Sequence, residues 1–107
     1  MMNDGMFEVV ELIEQAEQYK KKMEELHIKI TKLEEEVEST MIRYLNSKCN
    51  DLDYMVRMTS AIFQKRKCVR KLKRRYEGYS KQMIKINKEI ENLKKIINDE
   101  LEIKDIF

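Results

Sequence analysis

Apolar residues recur along the first half of the chain at alternating steps of three and four, which is the spacing of one face of an α-helix. Acidic and basic blocks fill most of the positions between them. The pattern predicts a long helix over about residues 5–46, with Asn3 or Asp4 as its N-cap. The apolar series comprises Val9, Leu12, Ala16, Tyr19, Met23, Leu26, Ile30, Leu33, Val37, Met41 and either Tyr44 or Leu45.

A second apolar series with the same steps predicts another helix over about residues 54–98. Lys65 and Arg66 interrupt this series. Residues 101–107 leave the helical spacing and alternate, so an irregular tail is expected there, or else a short extended segment that docks on a partner. The series comprises Met55, Thr59, Ile62, Val69, Leu72, Tyr76, Tyr79, Met83, Ile86, Ile90, Leu93 and Ile97.

Cap and turn formers gather between the two series, which predicts a turn over about residues 47–53 with Asn50, Asp51 or Asp53 as the second N-cap. The 107 residues contain no proline and only two glycines, so a sheet of short strands joined by tight turns is excluded. Gly78, inside the second helix, permits a kink or a close backbone approach. We expect a single all-α domain over residues 1–107, built from two long antiparallel helices as a hairpin or bundle.

Charge and composition suggest that this domain needs other chains. Charged residues make up 39% of the sequence, so each helix has only a narrow apolar seam and a pair of helices has little core. Residues 1–53 carry 13 acids and 7 bases, whereas residues 54–107 carry 7 acids and 15 bases. The opposite bias of the halves favours antiparallel helices. We therefore expect partner subunits to complete the core.

Candidate chemistry is sparse. The sequence has no GxGxxG, GxxxxGK[ST], HExxH or GxSxG motif, so we predict no enzyme activity and no catalytic, cofactor-binding or metal-binding residues. His27 is interpreted as a histidine at the edge of the seam, and Cys49 and Cys68 as small buried apolar residues. No long apolar run or leader segment is present, so neither a membrane nor a small-molecule substrate is expected, and the protein is expected to be soluble and intracellular.

The densest feature is a basic run that places eight cations within residues 65–75. Three interpretations remain open: pairing with the acidic first helix or an acidic partner, nuclear import, and contact with a nucleic-acid backbone. No groove-reading motif or interleaved aromatic supports sequence-specific contacts. The candidate contact residues are Lys65, Arg66, Lys67, Arg70, Lys71, Lys73, Arg74 and Arg75.

Residues 54–76 resemble the basic helix of the Psf-one-type subunits of the GINS replication complex, with Arg66-Lys67-Cys68 as the basic cluster that ends in cysteine. The opening Met6 to Ile13 resembles the first helix of those subunits. Lys71 and Leu72 replace an alanine and a tyrosine that the family tends to carry after the cysteine. Family members also carry a small β-rich domain, so the resemblance covers a helical part only.

This resemblance implies a non-enzymatic structural subunit of a nuclear hetero-oligomer that acts with the replicative helicase, with at most weak or indirect DNA contact. The alternatives are a homo-oligomeric coiled-coil tether or adaptor and a basic-helix nucleic-acid-binding protein. In the first case the seam residues are subunit contacts. Those residues are Leu12, Leu26, Ile30, Leu33, Val37, Val69, Leu72, Tyr76, Tyr79, Met83, Ile86, Ile90 and Leu93.

Overall fold

The computed structural model describes the backbone of residues 4–48 and 51–106, and the side chains of residues 5–48 and 51–101. It contains two helices, α1 (Asp4–Asn46) and α2 (Leu52–Ile106), packed against each other, and no strand within these ranges. The predicted all-α fold with two long helices is confirmed as a helical hairpin.

The predicted end of the second helix is wrong. Helix α2 continues past residue 98 to Ile106, so residues 101–106 are helical rather than an irregular or extended tail. Residues 99–106 contain neither glycine nor proline, and nothing in them interrupts the helical backbone. Phe107, like the expected cap Asn3, lies outside the described residues.

The start of α2 is set by one aspartate. The Asp51 Oδ1 atom accepts a hydrogen bond from the Asp53 backbone N–H at 3.1 Å, and the Asp51 carbonyl accepts one from the Met55 N–H at 3.0 Å. A side-chain oxygen that satisfies an early N–H while its own carbonyl opens the helix is the geometry of an N-cap. Of the three proposed caps, Asp51 therefore fills this role, and Asn50 is outside the described residues.

The contacts of the hairpin fall into two groups. One, the terminal unit, comprises Met1–Met23 and Gly78–Phe107; the other, the loop unit, comprises Glu24–Glu77. Each unit contains a segment of both helices and has its own apolar seam.

In the loop unit the most buried side chains are Leu26, Ile30, Val37 and Val69. The first three follow the predicted α1 series, and Tyr44 rather than Leu45 continues it. The predicted start of the α2 series is wrong: Met55 and Thr59 are exposed. The half-buried positions there are instead Tyr54, Met58, Ala61, Ile62 and Lys65.

In the terminal unit the most buried side chains are Ile86 and Ile90 on α2. The Tyr19 and Tyr79 rings lie 5.6 Å apart between centroids with their planes tilted by 43°. Lys22 Nζ lies 5.7 Å from the Tyr19 ring centroid and 5.6 Å from that of Tyr79. One ammonium group therefore sits over two aromatic faces and links the helices in this unit.

Two polar residues lie off the seam. Cys68 is an exposed free thiol, so its predicted burial is wrong, while Cys49 lies outside the described residues. The physical reason is its helical position: Cys68 precedes the seam residue Val69 and points about 100° away from it. His27 follows the seam residue Leu26 and is exposed for the same reason.

Gly78 neither adopts a turn conformation nor lies close to a neighbouring backbone. It lies within α2 without a positive φ, and a Cβ built on it meets nothing within 4 Å. The Gly78→Ala variant should therefore gain about 1 kcal/mol of stability from helix propensity alone. In thermal unfolding followed by circular dichroism, the melting temperature should rise by about 4 °C or more. An unchanged or lower melting temperature would show that the glycine serves a contact absent from the single chain.

Candidate interaction surface on α2

Residues 54–76 of α2 carry nine cations and no acid, and the helix directs these cations to different sides. Since each residue turns the helix by about 100°, only some of the basic run can face α1. Its eight predicted contact residues therefore divide by position around the helix.

Three of these residues reach toward α1. Lys73 Nζ lies 2.9 Å from Glu34 Oε1, and Lys65 Nζ lies 3.8 Å from Glu36 Oε2. Arg66 Nη2 donates to the Met41 Sδ at 3.1 Å.

The interpretation of the basic run as pairing with the first helix thus describes Lys65 and Lys73. Both ion pairs are partly exposed to solvent. Exposed pairs of this kind contribute about 0.2–1 kcal/mol each, so they align the helices more than they hold them together.

Four other cations face away from the seam and line one shallow groove together with Phe63. They are Lys67, Arg70, Lys71 and Arg74, all exposed. With Phe63 they occupy about 100° of arc around the helix axis, on the side opposite Val69 and Leu72. No carboxylate lines the groove. Arg75, the last residue of the run, is exposed and lies outside it.

An apolar groove adjoins the basic one and shares Phe63 with it. Leu52, Val56 and Phe63 follow one another on the same side of α2 and are all well exposed. Tyr44, Met55, Thr59 and Ser60 complete the lining. We call Leu52, Val56, Phe63, Lys67, Arg70, Lys71 and Arg74 the outer stripe. It is apolar at its start and basic at its end, and extends about 33 Å along α2.

Sequence reasoning identified the basic half of this stripe and missed the apolar half. Leu52, Val56 and Phe63 were not singled out, although the helical steps of four and seven that join them continue from Phe63 to Lys67 and on to Arg74. The signal was hidden because the apolar residues around position 55 fit more than one helical face.

The predicted seam contacts lie where the two helices meet. All of those residues, from Leu12 to Leu93, are buried or half-buried. Tyr79, for example, contacts Tyr19 of the same chain. These side chains are engaged within the hairpin, so the surface left for other molecules is formed by the positions between them.

The terminal unit has shallow grooves of its own. Met6, Val9 and Val10 of α1 line one of them with Lys94, Ile97 and Asn98 of α2. The N-terminal part of α1 also exposes Phe7 and Ile13 beside Glu11, Glu14 and Glu17. Helix α1 therefore has an apolar and acidic face, whereas the outer stripe of α2 is apolar and basic.

Within the described residues, no group of three or more His, Cys, Asp or Glu side chains is arranged to hold a metal ion. No buried side-chain nitrogen or oxygen there lacks a hydrogen-bond partner. None of the described helical segments is long and apolar enough to span a membrane.

Comparisons with known proteins identify no relative. No family model, no curated protein and no solved structure matches the chain.

Proposed function

We propose that this chain is a non-enzymatic structural subunit that completes its core by packing against other helical chains. The observation that carries the proposal is the thinness of its own core. Among the side chains that the structure describes, only six apolar ones are buried, and even these keep 7–9% of their surface exposed. A compact domain of this length would be expected to bury several large side chains completely.

The exposed apolar residues support the same proposal. Fourteen large hydrophobic side chains of the described residues are exposed, among them Phe7, Ile28, Leu45 and Phe63. Several follow helical spacing, as Leu52, Val56 and Phe63 do, and so form continuous faces rather than scattered points. Contiguous apolar faces on a helix are typical of surfaces that pack on another protein.

A narrower form of the proposal makes the chain a GINS-like subunit in the nucleus, one of several chains that join the replicative helicase. Its support is the resemblance of residues 54–76 to the basic helix of that family. The other form is a self-associating tether, supported by the exposed faces of both helices. Both forms share the same physical requirement, namely partner helices on the outside of the hairpin.

The solution mass of the purified chain, measured by light scattering over a range of concentrations, tests the proposal. We expect either a stable oligomer or a poorly folded chain that becomes soluble and folded in a complex. Co-expression with the other three GINS subunits separates the two forms: a four-chain complex supports the replication subunit, and a homo-oligomer that excludes those chains supports the tether. A well-folded monomer at all concentrations and in all mixtures would contradict the proposal as a whole.

A further inference from the structure

The outer stripe of α2 has a counterpart of opposite charge elsewhere in the same chain. Phe63 is followed by Lys67 and Arg70, at steps of four and three. On α1, Phe7 is followed by Glu11 and Glu14 at the same steps. The two triplets have the same geometry on their helices, and the charges of one are the reverse of the charges of the other.

Both triplets face solvent. Phe7 is 59% exposed and Phe63 57%. The four charged residues are exposed as well, and none of them forms an ion pair with another described side chain. In each triplet the three side chains lie within about 60° around the helix axis, so each forms a single straight contact line about 10 Å long.

From this complementarity we infer that the outer stripe binds the N-terminal α1 face of a second copy of this chain. The inference rests on the proposed function, because it names the occupant of one exposed face of the assembly. The α1 segment of one copy runs parallel to α2 of the other, since only that direction places Phe7 beside Phe63 and both glutamates beside cations. Glu11 then faces Lys67, and Glu14 faces Arg70.

Neighbouring side chains extend the match. Glu17 lies ten residues after Phe7, near the level of Arg74, which lies eleven after Phe63. Lys71 borders the same groove and adds a further positive charge opposite the acidic face. The apolar groove that ends at Phe63 offers the Phe7 ring a surface on which to pack. Aromatic contact and charge pairing thus select the same alignment.

A nucleic-acid backbone is the competing occupant, since four exposed cations would also attract phosphates. The structure favours a protein helix for two reasons. Half of the stripe is apolar, with Leu52, Val56 and Phe63 exposed, and phosphates do not complement such a surface. A helix that carries an aromatic ring followed by acidic residues at the matching steps complements Phe63 and the cations that follow it.

Charge reversal on each face provides the test. One variant carries Glu11→Lys and Glu14→Lys, and the other carries Lys67→Glu and Arg70→Glu. In sedimentation velocity, each variant alone should self-associate about tenfold or more weakly than the wild type, because attraction becomes repulsion at each pair. The two variants mixed should associate with each other about as well as the wild type, since every contact line then joins opposite charges.

A matched control separates position from net charge. Arg57→Glu with Arg75→Glu changes the net charge as the second variant does, at exposed positions of α2 that lie about 90° around the helix axis from the middle of the stripe. It should self-associate like the wild type. Circular dichroism should show the same helicity in all variants.

The possible failures are distinguishable. Self-association that survives both reversals, or mixed variants that stay apart, would overturn the inference and leave the proposed function standing. A wild type that is monomeric at every concentration would overturn this inference as well. If the chain also stayed monomeric in all subunit mixtures, the proposed function would be overturned too. Binding of a duplex DNA oligonucleotide that requires Lys67 and Arg70, in a chain that does not self-associate, would assign the stripe to nucleic acid instead.

Discussion

The Ile30→Ala variant is expected to lose about 2–3 kcal/mol of stability, one of the largest effects of a single truncation in the loop unit. Ile30 is only 8% exposed and lies on the seam between the helices. Removing its side chain deletes buried methyl groups and leaves a cavity that the packed helices fill only in part. The loss is placed at the low end of the usual range because none of the side chains described at residues 5–48 and 51–101 is completely enclosed.

Ile28 provides a matched control two residues away on the same helix. It is 66% exposed, so Ile28→Ala should change the free energy of unfolding by no more than about 0.5 kcal/mol. Urea unfolding at one fixed protein concentration measures both variants, since association would otherwise shift the apparent stability. Equal losses at Ile28 and Ile30 would mean that the seam assignment is wrong or that Ile28 is covered by another chain.

The terminal unit offers the same comparison. Ile86 is 7% exposed and Ile84 is 53% exposed, again two residues apart on one helix. Ile86→Ala should resemble Ile30→Ala, and Ile84→Ala should resemble Ile28→Ala. A neutral Ile86→Ala variant would show that this unit does not rest on the seam described here.

The second large effect is expected at the tyrosine pair. Tyr79→Ala removes a half-buried ring that contacts both Tyr19 and the ammonium of Lys22, and it should cost about 2 kcal/mol in urea unfolding. Tyr79→Phe keeps the ring and should stay within about 0.5 kcal/mol of the wild type.

A double-mutant cycle tests whether the two rings stabilise each other directly. Combining Tyr19→Ala with Tyr79→Ala should lose about 0.5–1.5 kcal/mol less than the sum of the single losses, because a ring pair can be broken only once. Losses that simply add would show that each ring stabilises the protein through its own burial and that the direct contact between the rings contributes nothing.

The helical period predicted most of the seam, because a narrow stripe leaves one favourable face for each helix. Leu26, Ile30 and Ile86 are buried where the steps of three and four place them. The period was ambiguous around residues 54–62, where apolar side chains are dense and two faces satisfy the same steps. There the face that continues backward from Val69 through Lys65 is the one that packs.

Lys65 explains the error. A cation in the series was read as an interruption, whereas the structure keeps Lys65 on the seam, half-buried, with its Nζ at Glu36. Its long aliphatic stem covers apolar surface while the ammonium reaches the carboxylate. Composition alone does not show that one lysine side chain can cover apolar surface and form an ion pair at the same time.

The candidate surface was predictable in part. The basic run was evident from composition, but the division between cations that meet α1 and cations that face outward depends on helix rotation. Lys73 forms an ion pair with Glu34, whereas Lys71, only two residues away, belongs to the outer stripe. The prediction for the C-terminal tail was wrong for another reason. Residues 99–106 show no amphipathic period, yet no glycine or proline ends the backbone hydrogen bonds of α2 there.

The two helices are joined by a short connection that ends at Asp51, the N-cap of α2, and this affects the order in which the chain folds. Arg66 and Met41, in the loop unit, are 25 residues apart, whereas Tyr19 and Tyr79, in the terminal unit, are 60 apart. Closing the longer loop in an unfolded chain costs about 0.8 kcal/mol more entropy. Folding is therefore favoured to start beside the connection and to proceed toward the two ends, which makes the terminal unit the last part to form and the first to open.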